Sequence, residues 1–289
     1  MKRRVYGVFF LCAALAAGSC QSDLGQGLIT TPPAADLPRG PELRVGATQL
    51  GASARGVPIY ARQHGSGPKR LMVIGLIHGD EAAVYERFDD LWLRLVNSGF
   101  GDRFTIAGIA TMNPDGYEES RRGNARGVDL NRNWPASNFR PSRRHGPAPL
   151  SEPETAAVHR FVRGFGPDVV VVFHATAEGP FVDPDGPEPV SGAMAQAFVR
   201  AAQPIDPQWT VRAEFTNPAG SMGSWFGVDG GKPILTVEMR PQTPRDAALR
   251  IATAGLLAVM REMERQELQA ESNGSSSSSS GMDEASSSP

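Results

Sequence analysis

Two histidines and two glutamates stand where short apolar runs end in this 289-residue chain. His78 and Glu81 follow RLMVIGLI, His174 follows DVVVVF, and Glu238 follows ILTV. A histidine at the end of a buried apolar strand is awkward unless something uses its ring nitrogens. Two such histidines and one carboxylate are the donor set of a catalytic zinc site, whose fourth position is left to water. The His78-to-Glu81 spacing lets both side chains converge as the chain turns from strand to helix. A single His-x-x-Glu is a weak pattern, because each histidine could equally donate to a backbone carbonyl. The chemistry cannot be thiol-based. The only cysteines are Cys12 and Cys20, and Cys12 falls inside an N-terminal apolar run.

The elements that must position these residues alternate between apolar runs and amphipathic stretches. Residues 44–50 and 57–63 read as a hairpin, and 70–77 as a buried strand. Residues 82–97 read as a helix, because Val84, Phe88, Leu91, Trp92 and Leu95 recur at helical spacing. Further strands are expected at 104–110, 168–173 and 234–239, and helices at 192–202 and 245–269. Asn113 to Gly116 reads as a turn, and Ser151 with Glu154 as a capping box opening another helix. Buried strands alternating with helices predict an α/β domain with a mixed, twisted central sheet flanked by helices. Ligands of such sheets gather at the carboxyl ends of the strands, which is where the four residues lie.

Between them run Asn113-Pro114-Asp115-Gly116, then RGNARGVDLNRNW from Arg122 to Trp134, then Ser151-Glu152-Pro153-Glu154-Thr155. With these segments the chain resembles the M14 zinc carboxypeptidases and, through Gly220 to Trp225, their murein peptide amidase branch. The resemblance spans about residues 74 to 240 and implies the zinc carboxypeptidase fold. It also implies one zinc ion held by His78, Glu81 and His174, with Glu238 as general base. Arg122 takes the place of the group that stabilises the oxyanion, with Arg126, four residues on, as its competitor. Asn131 and Arg132 take the place of the pair that grips a terminal carboxylate, a task suited to a planar guanidinium. The implied reaction is hydrolysis of an amide next to a free carboxylate. In the amidase branch that amide joins γ-D-Glu to meso-diaminopimelate in a short peptidoglycan peptide. Alternatives are a general L-peptide carboxypeptidase, an aspartoacylase- or succinylglutamate-desuccinylase-like deacylase, and a binding protein without turnover.

Other polar residues carry lesser roles. Asp80 is a candidate to orient a zinc-bound histidine, and Asp229 to receive an amine on the substrate. Asp115, Gly116 and Asp129 read as loop-shaping, and His64, His145 and His159 fall outside the site. The tyrosine that digestive carboxypeptidases close over substrate has no counterpart before Glu238, which leaves Trp225, or nothing, to fill that space.

The ends of the chain differ from its middle. Residues 1–20 combine a basic start, an apolar run too short for a comfortable membrane span, and Ala16-Ala17-Gly18-Ser19-Cys20. This resembles a lipoprotein signal with Cys20 as the lipidated residue, anchoring the protein to a membrane of the cell envelope, on the periplasmic side in a Gram-negative host. Ala17 stands where that motif prefers Leu, and cleavage after Ala17 or Ser19 would instead release a soluble protein. Residues 21–41 read as a flexible tether, 42–270 as the zinc carboxypeptidase domain, and 271–289 as a disordered Ser-rich tail. A formal net charge of -2 gives no reason to expect a nucleic-acid partner.

Overall fold

The computed structural model describes residues 46–212 and 218–279. The signal segment, Cys20, the tether and residues 280–289 lie outside the described residues. Among the described residues, eight strands form one sheet in the order β1-β2-β4-β3-β5-β8-β6-β7. They are β1 (Ala47–Ala52), β2 (Pro58–His64), β3 (Lys69–Ile74), β4 (Phe104–Ile109), β5 (Val169–Ala175), β6 (Phe181–Asp185), β7 (Thr210–Val211) and β8 (Ile234–Met239). The central four, β4-β3-β5-β8, run parallel. The hairpin β1–β2 joins one side antiparallel through β2–β4, and β6 joins the other antiparallel to β8. The expected mixed α/β sheet is therefore present.

Side chains alternate across the sheet with the two-residue period of a strand. Leu71, Val73, Val169, Val171, Phe173, Leu235 and Val237 face a core shared with α1 (Phe88–Val96), α4 (Val190–Ala202) and α5 (Arg245–Ser279). Met72, Ile74, Val170, Val172 and Ile234 face a second core, shared with α3 (Pro153–Phe165) and Trp134. On that second face the run of apolar residues gives way to His174 on β5 and to Thr236 and Glu238 on β8. The core holds the sheet rigid below the point where the polar residues begin.

Local details depart from expectation in four places. Residues 82–97 do not form one helix. A 3₁₀ turn at Tyr85–Arg87 precedes α1, because residues 78–84 must first leave β3 and deliver Glu81 sideways. Asn113 to Gly116 does more than turn. It opens the short helix α2 (Pro114–Glu118), with Asn113 Oδ1 accepting from the Gly116 amide at 2.9 Å. The capping box is absent. The N-cap of α3 is Glu152, and both partners are spent elsewhere. Ser151 Oγ accepts from Asn133 at 2.9 Å, while Glu154 accepts from the Ala54 amide at 2.9 Å and from Asn124 at 3.2 Å. Tertiary polar partners outcompete a local cap worth about 1 kcal/mol. At the other end, Gly166 closes α3 in the left-handed conformation at φ 62°. Helix α5 is also longer than the stretch 245–269 read as helical.

Candidate active site

Because β3, β5 and β8 are adjacent and parallel, their carboxyl ends bring the predicted residues together. His174 and Glu238 are direct partners in the β5–β8 register. The ligand-type atoms of His78, Glu81 and His174 all lie within 4.8 Å of one another. Nδ1 of His174 is 3.1 Å from Nδ1 of His78 and 2.8 Å from Glu81 Oε2, and His78 Nδ1 is 2.9 Å from Glu81 Oε1. Two imidazole nitrogens and a carboxylate pointed at one spot suit zinc in both donor type and number. The carboxylate is itself steadied, since the Ala175 amide donates to Glu81 Oε2 at 3.1 Å.

The electrostatics match a cation site. Burial alone would raise the Glu81 carboxyl, but His174 and His78 outweigh it and hold it well below the usual carboxylate range. Burial alone would lower the His78 imidazole, but hydrogen bonds to Asp129 and Glu81 raise it. Asp129 is the partner that sequence reasoning missed. It is buried in the loop before the Leu130–Arg132 turn, with Oδ1 2.9 Å from His78 Nε2. Asp80, the expected orienting residue, is exposed and bonds to neither histidine, whose partners are Glu81, Asp129, Asn131 and each other.

Around the triad lies a cavity of about 190 Å³ lined by Arg122, Asn131, Arg132, Asp183, Asp185 and Glu238, among others. Arg122 donates from Nε to Asp129 Oδ2 at 2.9 Å and from Nη1 to Glu81 Oε1 at 3.0 Å. Arg126 points away, 3.5 Å from Glu152 Oε2, and does not line the cavity. Asn131 is fixed by accepting from the Met222 amide at 2.9 Å, and its Nδ2 lies 3.4 Å from His174 Nε2. Arg132 is anchored by an Nη1 bond to the Asn131 carbonyl at 2.7 Å, and burial lowers its pKa from the ordinary arginine value. Burial also raises the Glu238 carboxyl above the usual glutamate value. Asn113 ties the assembly together by donating both to the Ile77 carbonyl, 3.0 Å away beside His78, and to the Arg122 carbonyl at 3.2 Å.

Several expected roles move elsewhere. Trp225 does not line the cavity. It stacks on Trp134 at 5.1 Å and against His159 at 4.7 Å, packed on the second core because its ring finds a flat apolar partner there. Asp229 is a surface clasp, accepting from the Ser137 amide and hydroxyl at 2.6 and 2.7 Å. His145 accepts its place from the loop, with Nδ1 2.8 Å from the Arg140 carbonyl, and His64 lies beside Gly101.

This sheet and this site are those of a zinc carboxypeptidase. The profile of that family, the M14 peptidases, matches residues 41–184, and the chain belongs to the family. Murein peptide amidase A of Escherichia coli K12 is 30% identical over 242 residues, which cover 76% of this chain and 90% of the relative. The crystal structure of murein-tripeptide amidase MpaA from Escherichia coli O157 superposes with a TM-score of 0.57 at 26% identity, covering 74% of this chain and 92% of that one. Bovine thrombin-activatable fibrinolysis inhibitor shares the fold, with a TM-score of 0.63 at 18% identity over 78% of this chain and 90% of that one. The protein is thus a peptide hydrolase whose cofactor is zinc.

Proposed function

We propose that this zinc hydrolase cuts short peptidoglycan peptides at the amide between γ-D-Glu and meso-diaminopimelate. The observation that carries the reading is the 30% identity to murein peptide amidase A over most of both chains, together with the Glu238-Arg122-Arg132 cavity around the triad. His78, Glu81 and His174 would hold the zinc. When bound, the zinc supplies a Lewis acid that polarises the scissile carbonyl and makes a nearby water more acidic. Asn131 and Arg132 bind the free carboxylate beside the scissile amide and so fix its position. Glu238 takes a proton from the attacking water and passes it to the leaving amine, and its raised pKa suits both halves of that task. Arg122 meets the negative charge that develops on the carbonyl oxygen.

From the pattern of residues 1–20 we also propose that Cys20 is a lipid-bearing anchor holding the enzyme in the cell envelope, a location compatible with wall fragments as substrate. No helix among the described residues is long and apolar enough to cross a membrane.

The test is hydrolysis of L-Ala-γ-D-Glu-meso-diaminopimelate by the zinc-loaded protein, with and without chelator and beside Glu238→Gln. Chelator-sensitive release of diaminopimelate, reduced about 10²–10⁴-fold in the variant, is the expected result. Cleavage of ordinary C-terminal L-residues with none of the tripeptide would overturn the substrate and leave a general carboxypeptidase.

A further inference from the structure

The loop 135–150 brings a third arginine to the mouth of the cavity, one that the reaction does not use. Its main chain makes a tight turn from Ser142 to Gly146. The Ser142 amide closes it on the Gly146 carbonyl at 3.2 Å, and the His145 amide on Ser142 Oγ at 3.0 Å. Asn133 pins the turn to the active-site loop by donating to the His145 carbonyl at 2.8 Å. The Arg144 carbonyl accepts from the Asp129 amide at 2.8 Å, and Arg144 Nη2 donates to Asp129 Oδ2 at 3.2 Å. Arg144 is thus held by main chain and side chain, although its side chain is 61% exposed. It stands outside the cavity beside Arg122, which bonds the same oxygen and lines the cavity.

That bond does not cancel the charge of Arg144. Asp129 Oδ1 already takes His78 Nε2 and the Asn131 amide, while Oδ2 takes Arg122 and Arg144. A carboxylate has about four acceptor sites, so Asp129 is full. Its single charge is shared by two guanidiniums and an imidazole. The other N–H groups of Arg144 have no partner among the described residues. The guanidiniums also feel one another, since the charges of Arg122 and Arg144 add to burial in lowering Arg132. A mouth with this excess of positive charge suits a substrate that carries more than one carboxylate.

We propose that Arg144 binds a second carboxylate of the substrate, carried on the acyl side with three carbons between it and the scissile carbonyl. Resting on the reading above, that group is the free α-carboxylate of the γ-linked D-Glu. The leaving residue enters the cavity with both of its own carboxylates, the near one on Asn131 and Arg132. Arg144 lies outside, where only the acyl part of the substrate remains. The chain of carbons from the carbonyl to the D-Glu carboxylate reaches about 5 Å. Neighbouring guanidiniums on one Asp129 oxygen fit that reach, Arg122 at the carbonyl oxygen and Arg144 at the carboxylate. The planar fork of arginine matches a carboxylate, whereas lysine offers the charge alone. An amide in place of that carboxylate keeps the shape and removes the charge.

The experiment compares kcat/KM for L-Ala-γ-D-Glu-meso-diaminopimelate and its D-isoglutamine counterpart, in which only the D-Glu carboxylate is amidated. The enzymes are zinc-loaded wild type, Arg144→Gln and Arg144→Lys, with zinc content and Tm confirming that each is folded and loaded. The wild type should prefer the free acid by about tenfold. Arg144→Gln should bring the two substrates within about twofold of each other, chiefly by slowing the acid. Arg144→Lys should keep part of the preference. A structural role through Asp129 and His78 would slow acid and amide alike and leave the ratio standing. An unchanged ratio in Arg144→Gln, or equal use of acid and amide by wild type, would overturn the contact while leaving diaminopimelate release intact. So would an effect of Arg144→Gln confined to the distal diaminopimelate carboxylate, read on the tripeptide amidated there. If neither the acid nor its D-isoglutamine counterpart is cleaved, the murein reading falls. The ratio is then read on benzoyl-L-glutamyl-L-leucine against benzoyl-L-glutaminyl-L-leucine, where the side-chain carboxylate has the same carbon spacing. A missing preference for the acid there would overturn the contact as well.

Discussion

Nε2 of His78 and Oδ1 of Asp129 lie 2.9 Å apart, both fully enclosed, on the side of the imidazole facing away from Glu81 and His174. A carboxylate in that position fixes the tautomer that leaves Nδ1 free to bind metal, and makes the ring a better donor. The same aspartate accepts from Arg122 and, at 3.2 Å, from Arg144, so one side chain aligns both a candidate metal ligand and a cation of the cavity. Asp129→Ala should weaken zinc binding by about 10–100-fold, measured by competition with a chromogenic chelator. Asp129→Asn, which can still accept from one neighbour, should weaken it less.

Arg122 and Arg126 are separated by position. Arg122 borders the cavity between Glu81 and Asp129, whereas Arg126 reaches Glu152 at the base of α3. Only the former can meet charge developing on a substrate. Arg122→Ala should lower kcat by about 10²–10³ with a smaller change in KM, and Arg126→Ala should leave both near wild type. Steady-state kinetics on one substrate decides it, and equal losses in both variants would return the two arginines to the ambiguity their spacing creates.

Gly79 sits between His78 and Glu81, two of the three candidate metal ligands, where the chain leaves β3, and is packed on α2. A Cβ there would run into the Gly116 carbonyl and the Tyr117 amide, both main chain and therefore unable to swing aside. Helix α2 cannot easily retreat, since its own Asp115 is fully buried and accepts from Ser53 Oγ at 2.8 Å and the Arg55 amide at 3.1 Å. Gly79→Ala should cost about 3 kcal/mol and lower zinc affinity with it, read as a fall in both Tm and bound metal.

How much of this was legible in the sequence depends on which contacts are local. His78, His174 and Glu238 could be read because each ends an apolar run, and in parallel neighbouring strands such ends converge without further information. Asp129 could not be assigned, because its partner is His78, 51 positions away, and nothing in the loop around it says which way it points. Asp183 and Asp185 were missed for a different reason. Their place in the cavity depends on β6 entering antiparallel beside β8, and the FVDPD run carries no period that announces it. Asp229 looked a fair amine receptor by type, yet its oxygens are spent on Ser137. Ser151 and Glu154 had the spacing of a cap, but Asn133, Asn124 and Ala54 claimed them from far along the chain.

The aspartates of the cavity also carry a pH signature in stability. Asp183 is pushed from 3.8 up to about 8, first by burial and then by Asp185 and Glu238, and burial pushes Asp185 up to about 6. A carboxyl whose folded pKa is raised holds its proton more tightly in the native state. Its contribution is complete below the unfolded value and is lost as pH climbs through the folded value. For Asp183 the window runs from about pH 4 to about pH 8. Each unit is about 1.4 kcal/mol, but water entering the cavity screens the charge, so a total on the order of 2 kcal/mol is expected. Asn mimics the protonated acid and cannot ionise. Asp183→Asn should therefore match wild type near pH 4 and exceed it in Tm by roughly 4–8 °C at pH 8, with the gap opening between. Thermal melts across that range, with chelator present throughout so that zinc loss at low pH does not intrude, give the answer. A gap that stays flat would mean that a cation already sits against Asp183 in the free enzyme.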